Sequence, residues 1–284
     1  MTFGQQPQGN NNQYGNPNGQ QQYGQPQYQY AQNPYGQSQY AYAPNGAAAM
    51  NAQTAYSYEQ VQQAERVSIT RAYGEMTIGL LITAAVAVIA QMTGAYIGFL
   101  QATGLIGVFL FAAIQIGMAV YLGARIMTIK SGTARVMFYV YAALMGFTLS
   151  SIFMIYDLGS IGLALGMTAL FFFVLTMFGL TTKMNMLKAG PILMAALIAL
   201  IIAQVILAFI PGVSGMTQIV CVVGLIIFAG MTMYDAQVAR ALFSQYEAQG
   251  PEMIKKVSII CALNLYLDFV NMFLYLLQLF GNRD

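Results

Sequence analysis

The chain has no histidine and no tryptophan, only two cysteines, and charge on just 7% of its 284 residues, where a soluble domain carries about 25%. The lack of histidine removes the commonest zinc and haem ligand and the side chain that ordinarily titrates near neutral pH. Cys221 and Cys261 both lie in apolar stretches and read as small buried residues rather than a disulfide or a metal pair. Residues 1–58 lack even more. They contain no Lys, Arg, Asp, Glu, Leu, Ile or Val, so they cannot bury enough aliphatic surface to offset their conformational entropy. What they do contain is Gln, Asn, Gly, Pro and Ala with nine tyrosines, a disordered, prion-like composition prone to weak self-association. No basic stretch followed by an apolar run marks a cleavable signal peptide there, so the first spanning helix is expected to direct insertion.

The remainder is rich in what those 58 residues lack. With 58% hydrophobic residues overall and a mean hydropathy of +0.59, the chain reads as an all-α, multi-pass membrane protein. After a short amphipathic link at 59–75, residues 76–284 hold seven apolar runs of about the 20 residues a helix needs to cross a bilayer. They fall near 76–98, 103–127, 134–156, 158–181, 191–211, 216–238 and 257–280. Pro191, Pro211 and Pro251 lie at or between their ends, where a missing amide proton does least harm. Basic residues alternate from one connection to the next. Arg125, Lys130 and Arg135 follow the second run, Lys183 and Lys188 the fourth, and Arg240, Lys255 and Lys256 the sixth, with none after the first, third or fifth. By the positive-inside rule the N-terminus is cytoplasmic. A seventh helix that crosses completely puts the C-terminus outside, and a re-entrant one returns it inside.

Of nine acidic residues, Asp235 and Asp268 are the two that sit inside long apolar runs, where a charge costs roughly 2.5–3.5 kcal/mol on the lenient insertion scale. Each therefore needs a partner, a proton or a water-filled cavity. Asp268 belongs to a stripe, since Asn264, Asp268, Asn271, Tyr275 and Gln278 recur at helical spacing and share one face. Such a stripe cannot face lipid, so this helix is expected at the centre of the bundle. Asp235 ends the sixth run beside Tyr234, with Thr232 on its face. Counted along the helices, it lies about 7 Å from Arg240, and Asp268 about 18 Å from Lys256. On that ruler Asp235 is the shallower, a boundary carboxylate that snorkels to water or pairs with Arg240 or Lys256. Should the two aspartates meet, they would share a proton at near-neutral pH.

Four stretches, in order, resemble the Bax inhibitor-1 family, the transmembrane Bax-inhibitor-motif proteins. They are Gly146-Phe147-Thr148-Leu149-Ser150, Gly179-Leu180-Thr181-Thr182-Lys183, Tyr234-Asp235-Ala236-Gln237, and the run from Leu265 to Leu274 containing Tyr266, Asp268 and Asn271. The resemblance spans about 66–281 and implies six helices around a central, semi-hydrophobic seventh. It also implies a pH-sensitive calcium leak in which an aspartate pair, here Asp235 and Asp268, gates a pore. An arginine latching the pair falls on Arg125, with Arg135 as the fallback. The acidic residue that some relatives carry in helix 2 is absent, and Gln115 lies near that position.

Calcium takes six to eight oxygen ligands and two carboxylates supply at most four, so carbonyls, Asn264, Asn271, Tyr266 or water must complete the shell. The weakness of such a site suits a transported ion. Protonation would weaken calcium attraction but would also break a carboxylate–arginine latch, two opposed effects. No resident cofactor is expected. The expected partners are the bilayer, calcium ions and protons, with no nucleic acid. Two rival readings remain: a non-conducting regulator that binds other membrane proteins, including membrane proteases or components of a stress or death pathway, and an intramembrane aspartyl protease. The protease lacks support because Leu-Tyr-Leu, not glycine, precedes Asp268 and no Pro-Ala-Leu follows. A bacterial plasma membrane is the expected location.

Overall fold

A computed structural model describes residues 46–208, 210, 214–246 and 249–282, with side chains described for 69–207, 210, 218–246 and 249–282. The sequence reading of residues 1–45 lies outside the described residues, as do the side chains of most of the 59–75 link. Among the described residues every regular element is a helix. The helices are α1 (Gly46–Thr93), α2 (Ala95–Arg125), α3 (Ser131–Leu149, continued by a 3-10 turn Ser150–Met154), α4 (Leu158–Thr181), α5 (Gly190–Ala208), α6 (Ser214–Tyr246) and α7 (Pro251–Phe280). All seven include a segment long and apolar enough to cross a bilayer. Helices are the expected solution, because a spanning segment must satisfy its own backbone polar groups.

Two boundaries differ from the sequence reading for clear reasons. The link at 59–75 is not a separate element but part of α1, which runs unbroken through it. Its Gln, Glu, Arg and Ala are good helix formers, and nothing in it breaks the backbone. The first helix ends at Thr93 rather than near 98, because Gly94 takes a φ of 65°, a conformation that only glycine adopts cheaply. Gly104, with φ 60° and ψ −158°, then breaks α2 into a short leading piece and the spanning helix.

The ends of α7 orient the bundle. At its start, Glu252 accepts from both the backbone N–H and the hydroxyl of Ser131 (2.8 and 2.9 Å), and Lys256 donates to the Met127 carbonyl (3.0 Å). At its end, the Asn282 N–H donates to Ser160 (2.9 Å) at the start of α4, and Gly281 abuts the Tyr156 ring. Because α3 separates the α2–α3 connection from the α3–α4 connection, α7 crosses the whole bundle and is not re-entrant. The face that carries the α2–α3, α4–α5 and α6–α7 connections, where the lysines gather, is called the basic face below.

α7 is also the most enclosed helix. It packs against α1, α2, α3, α4 and α6, and 72% of its apolar window is buried, against 11–39% for the other six. Leu265, Tyr266, Met272 and Leu277 are fully buried there, while α2 and α5 turn large aliphatic side chains outward, as lipid-facing helices do.

Candidate functional site: a carboxyl pair between two antiparallel helices

The Tyr-Asp-Ala-Gln motif of α6 makes four different contacts. Tyr234 lies over Gly190 at the start of α5, where a Cβ would stand 2.7 Å from the ring. Ala236 is fully buried against Gly179 of α4, whose missing side chain lets the backbone of Met233 come close. Gln237 fixes the α4–α5 connection: its amide donates to the carbonyls of Gly179 (3.1 Å) and Met184 (2.8 Å), and its oxygen accepts from the Met186 N–H (2.8 Å). Asp235 turns inward to α7.

There the carboxyls of Asp235 and Asp268 face each other within hydrogen-bonding reach, at 6% and 2% exposure. An O–H···O bond between two carboxyls requires a proton on one of them. Asn264 makes a long contact to Asp235 Oδ1 (3.5 Å) from the turn of α7 nearer the basic face. Thr232 is fully buried beside Asp268, and its hydroxyl donates to the Phe228 carbonyl (2.8 Å).

The two side chains therefore meet despite the unequal depths counted along the backbone. Two facts account for it. Arg240 is not a surface marker, because α6 continues past it to Tyr246. In addition, every helical side chain leans toward its own helix N-terminus. α6 and α7 are antiparallel, so Asp235 leans away from the basic face and Asp268 leans toward it, and the carboxyls converge.

The rest of the polar stripe is partnered helix by helix. Tyr275 bonds Gln204 of α5, and Gln278 accepts from the Cys221 thiol of α6 (3.2 Å). Asn271 donates to the Leu267 carbonyl of its own helix (2.7 Å). Tyr266 points elsewhere. Its hydroxyl meets Thr83 of α1 (2.7 Å), which also bonds the Ala142 carbonyl of α3 (2.9 Å), so Tyr266 is not brought to the carboxyl pair as a ligand.

Neither arginine reaches the pair. Arg125 is exposed in the last turn of α2, and Arg135 pairs instead with Glu75 (2.6 Å), whose other oxygen accepts from Tyr139 (2.6 Å). Neither is among the groups acting on Asp235 or Asp268, so the latch expected on Arg125 or Arg135 is not formed in this conformation. The sequence reading passed over Glu75 because it sits in the charged stretch before the first apolar run and its partner is sixty residues away. Its position one residue before the first apolar run was the available signal. Gln115 is buried and donates to Thr148 (2.9 Å), an interhelical bond between α2 and α3. Among the described residues no three His, Cys, Asp or Glu side chains gather into a metal cluster. A cation at the pair would take its remaining ligands from amides, hydroxyls, carbonyls or water.

Residues 65–284 match the family described as "Inhibitor of apoptosis-promoting Bax1". The inner membrane protein YbhL of Escherichia coli (strain K12) is 36% identical over 215 residues, covering 76% of this chain and 91% of YbhL. A protein of Borreliella burgdorferi is 36% identical over 217 residues with the same coverage, and one of Rickettsia prowazekii is 30% identical over 213 residues, covering 75% of this chain and 88% of its own length.

Proposed function

Since the chain belongs to the Bax inhibitor-1 family, we propose that it is a pH-sensitive calcium leak channel in which the Asp235–Asp268 pair is both proton sensor and gate. The observation that carries the reading is the meeting of two buried carboxyls inside a seven-helix membrane bundle, with neither Arg125 nor Arg135 among the groups acting on them. One proton shared between them closes a hydrogen bond across the α6–α7 contact. Removing it leaves two like charges that repel each other and attract a divalent cation. Protonation thus changes both the contact and the affinity for calcium. Asn264 and Thr232 are the side chains placed to assist at the pair.

The chain is read as a non-enzyme in a bacterial plasma membrane. The alternation of basic connections supports an N-terminus in the cytoplasm, and the description of YbhL as an inner membrane protein supports the location. The test is calcium flux into liposomes holding the purified full chain, scanned across pH. Wild-type flux should vary with pH, and Asp235→Asn and Asp268→Asn should each remove that variation. Flux indifferent to pH, or absent from every variant, would overturn the proposal.

A further inference from the structure

The connection from α4 to α5 is tied down along its backbone and one-sided in what it displays. The Thr182 hydroxyl accepts from the Met184 N–H (3.2 Å), Asn185 Oδ1 accepts from the Leu187 N–H (3.1 Å), and Gln237 of α6 bonds the Met184 carbonyl and the Met186 N–H. None of these bonds uses the side chains of Lys183, Met184, Leu187 or Lys188. All four are exposed, the two apolar ones at 61% and 41%. Arg240, three residues after Gln237, reaches the Leu180 carbonyl (3.5 Å) and sets a third cation beside the connection.

The other two connections on the basic face carry acids with their cations. Glu252 bonds Ser131, next to Lys130, and stands three and four residues before Lys255 and Lys256 on α7, the helical spacing at which opposite charges meet. Lys256 donates to the Met127 carbonyl, and Arg135 pairs with Glu75. Nothing of the kind accompanies the α4–α5 connection. From Leu158 to Tyr234 the chain has no Asp or Glu, and among the described residues no carboxylate pairs with Lys183 or Lys188.

The positive-inside tendency accounts for the side of the membrane on which these lysines lie. It does not account for the lack of acids or for a methionine and a leucine turned outward between them. Lysines flanking exposed apolar side chains at the edge of a bilayer are the pattern of an interfacial element, whose aliphatic groups dip among acyl chains while its ammonium groups meet phosphates. Exposed apolar surface continues to either side, with Phe178 on α4 and Ile192 on α5. A molecule that suits both halves carries a negative phosphate with hydrocarbon attached.

We propose that the α4–α5 connection is a docking site for an anionic phospholipid, with Lys183 and Lys188 on the headgroup phosphate and Met184 and Leu187 among its chains. The site stands apart from the aspartate pair and does not depend on the calcium reading. A lipid seated there steadies the connection against α6 through Gln237. The full chain in neutral detergent is titrated with short-chain phosphatidylglycerol, with phosphatidylcholine of the same chains, and with inorganic phosphate. Melting temperature and the lipid retained in native mass spectrometry are followed. Two double variants lose equal charge: Lys183→Gln with Lys188→Gln at the site, and Lys130→Gln with Lys255→Gln as the control, where Glu252 lies close by.

Phosphatidylglycerol should raise the wild-type melting temperature and stay bound, and phosphatidylcholine and phosphate should do neither. The site variant should bind phosphatidylglycerol about thirtyfold more weakly, the worth of two lysines beside an anionic surface, while the control variant stays within about threefold of wild type. No hydrogen bond of Lys183 or Lys188 side chains braces the fold among the described residues, so without lipid the site variant should melt as wild type does. If it melts lower, lipid retention measured well below both melting temperatures decides between the outcomes. Equal effects of the two lipids would reduce the contact to acyl chains, an equal effect of phosphate would make it a site for small anions, and equal losses in the two variants would reduce it to general charge attraction. Each of these results overturns the site.

Discussion

Gly146, in the last turn of α3, shows how tightly single positions are specified. A Cβ there would stand 2.4 Å from the Thr83 carbonyl oxygen and 3.0 Å from its Cα, and backbone cannot swing aside as a side-chain tip can. Gly146→Ala should therefore cost about 1–3 kcal/mol through overpacking, read as a lowered melting temperature in detergent. It should also disturb Thr83 and, through it, Tyr266. Asp157 is a second such position. It caps α4, accepting from the Ser160 N–H (2.9 Å) and hydroxyl (2.6 Å), and these bonds hold its carboxyl below the usual carboxylate range. A depressed folded-state value means the stabilisation is fully present above the ordinary value of about 4 and is lost as pH falls through the folded one. Wild type should thus lose melting temperature with acid across that window, and Asp157→Ala should start lower and show less of that loss. At this scale the sequence was informative about which residues are anomalous and poor on whom they meet. Asp268 stood out by its setting in an apolar run, whereas the bond from Gln115 to Thr148 and the pairing of Glu75 with Arg135 depend on packing that no local pattern encodes.

Helices were the most legible level, because a spanning segment must be long, apolar and internally bonded whatever its neighbours are. The stripe on α7 was legible for the same reason: its period is set by the backbone. The level at which α6 and α7 meet was not, since a ruler of 1.5 Å per residue follows the axis and ignores the lean of side chains. Two ties at the start of α7 illustrate what an element can do for another. Glu252 serves as the N-terminal cap that Lys130 cannot provide for α3, and Lys256 holds the connection just before it. Glu252→Ala should release that cap. Limited trypsin digestion of the detergent-solubilised chain should then cut after Lys130 several times faster than in wild type, with cleavage at Lys183 unchanged as an internal control. Equal rates at Lys130 would mean the cap contributes nothing to holding the connection.

For the molecule as a whole, the two ends of α7 fix a topology that charge counting alone left open. Thr128 and Asn282 are exposed at opposite faces, and the native Cys221 and Cys261 are buried, so single cysteines at 128 and 282 can be read over a low background. In sealed right-side-out vesicles an impermeant maleimide should label Asn282→Cys and spare Thr128→Cys, and inverted vesicles should reverse the result. Labelling of both from one side would contradict a fully crossing α7. The enclosure of α7 bears, finally, on time as well as space. It follows every helix it packs against in chain order, and Thr83, Ser131, Gln204, Cys221 and Asp235 are all synthesised before their partners on α7 exist. Until that last segment enters, the groups of the earlier helices that bond to α7 lack those partners. A ribosome that stalls or stops just short of residue 251 would leave a product without its most buried helix, and cellular quality control would meet it as a membrane protein with unmatched polar groups.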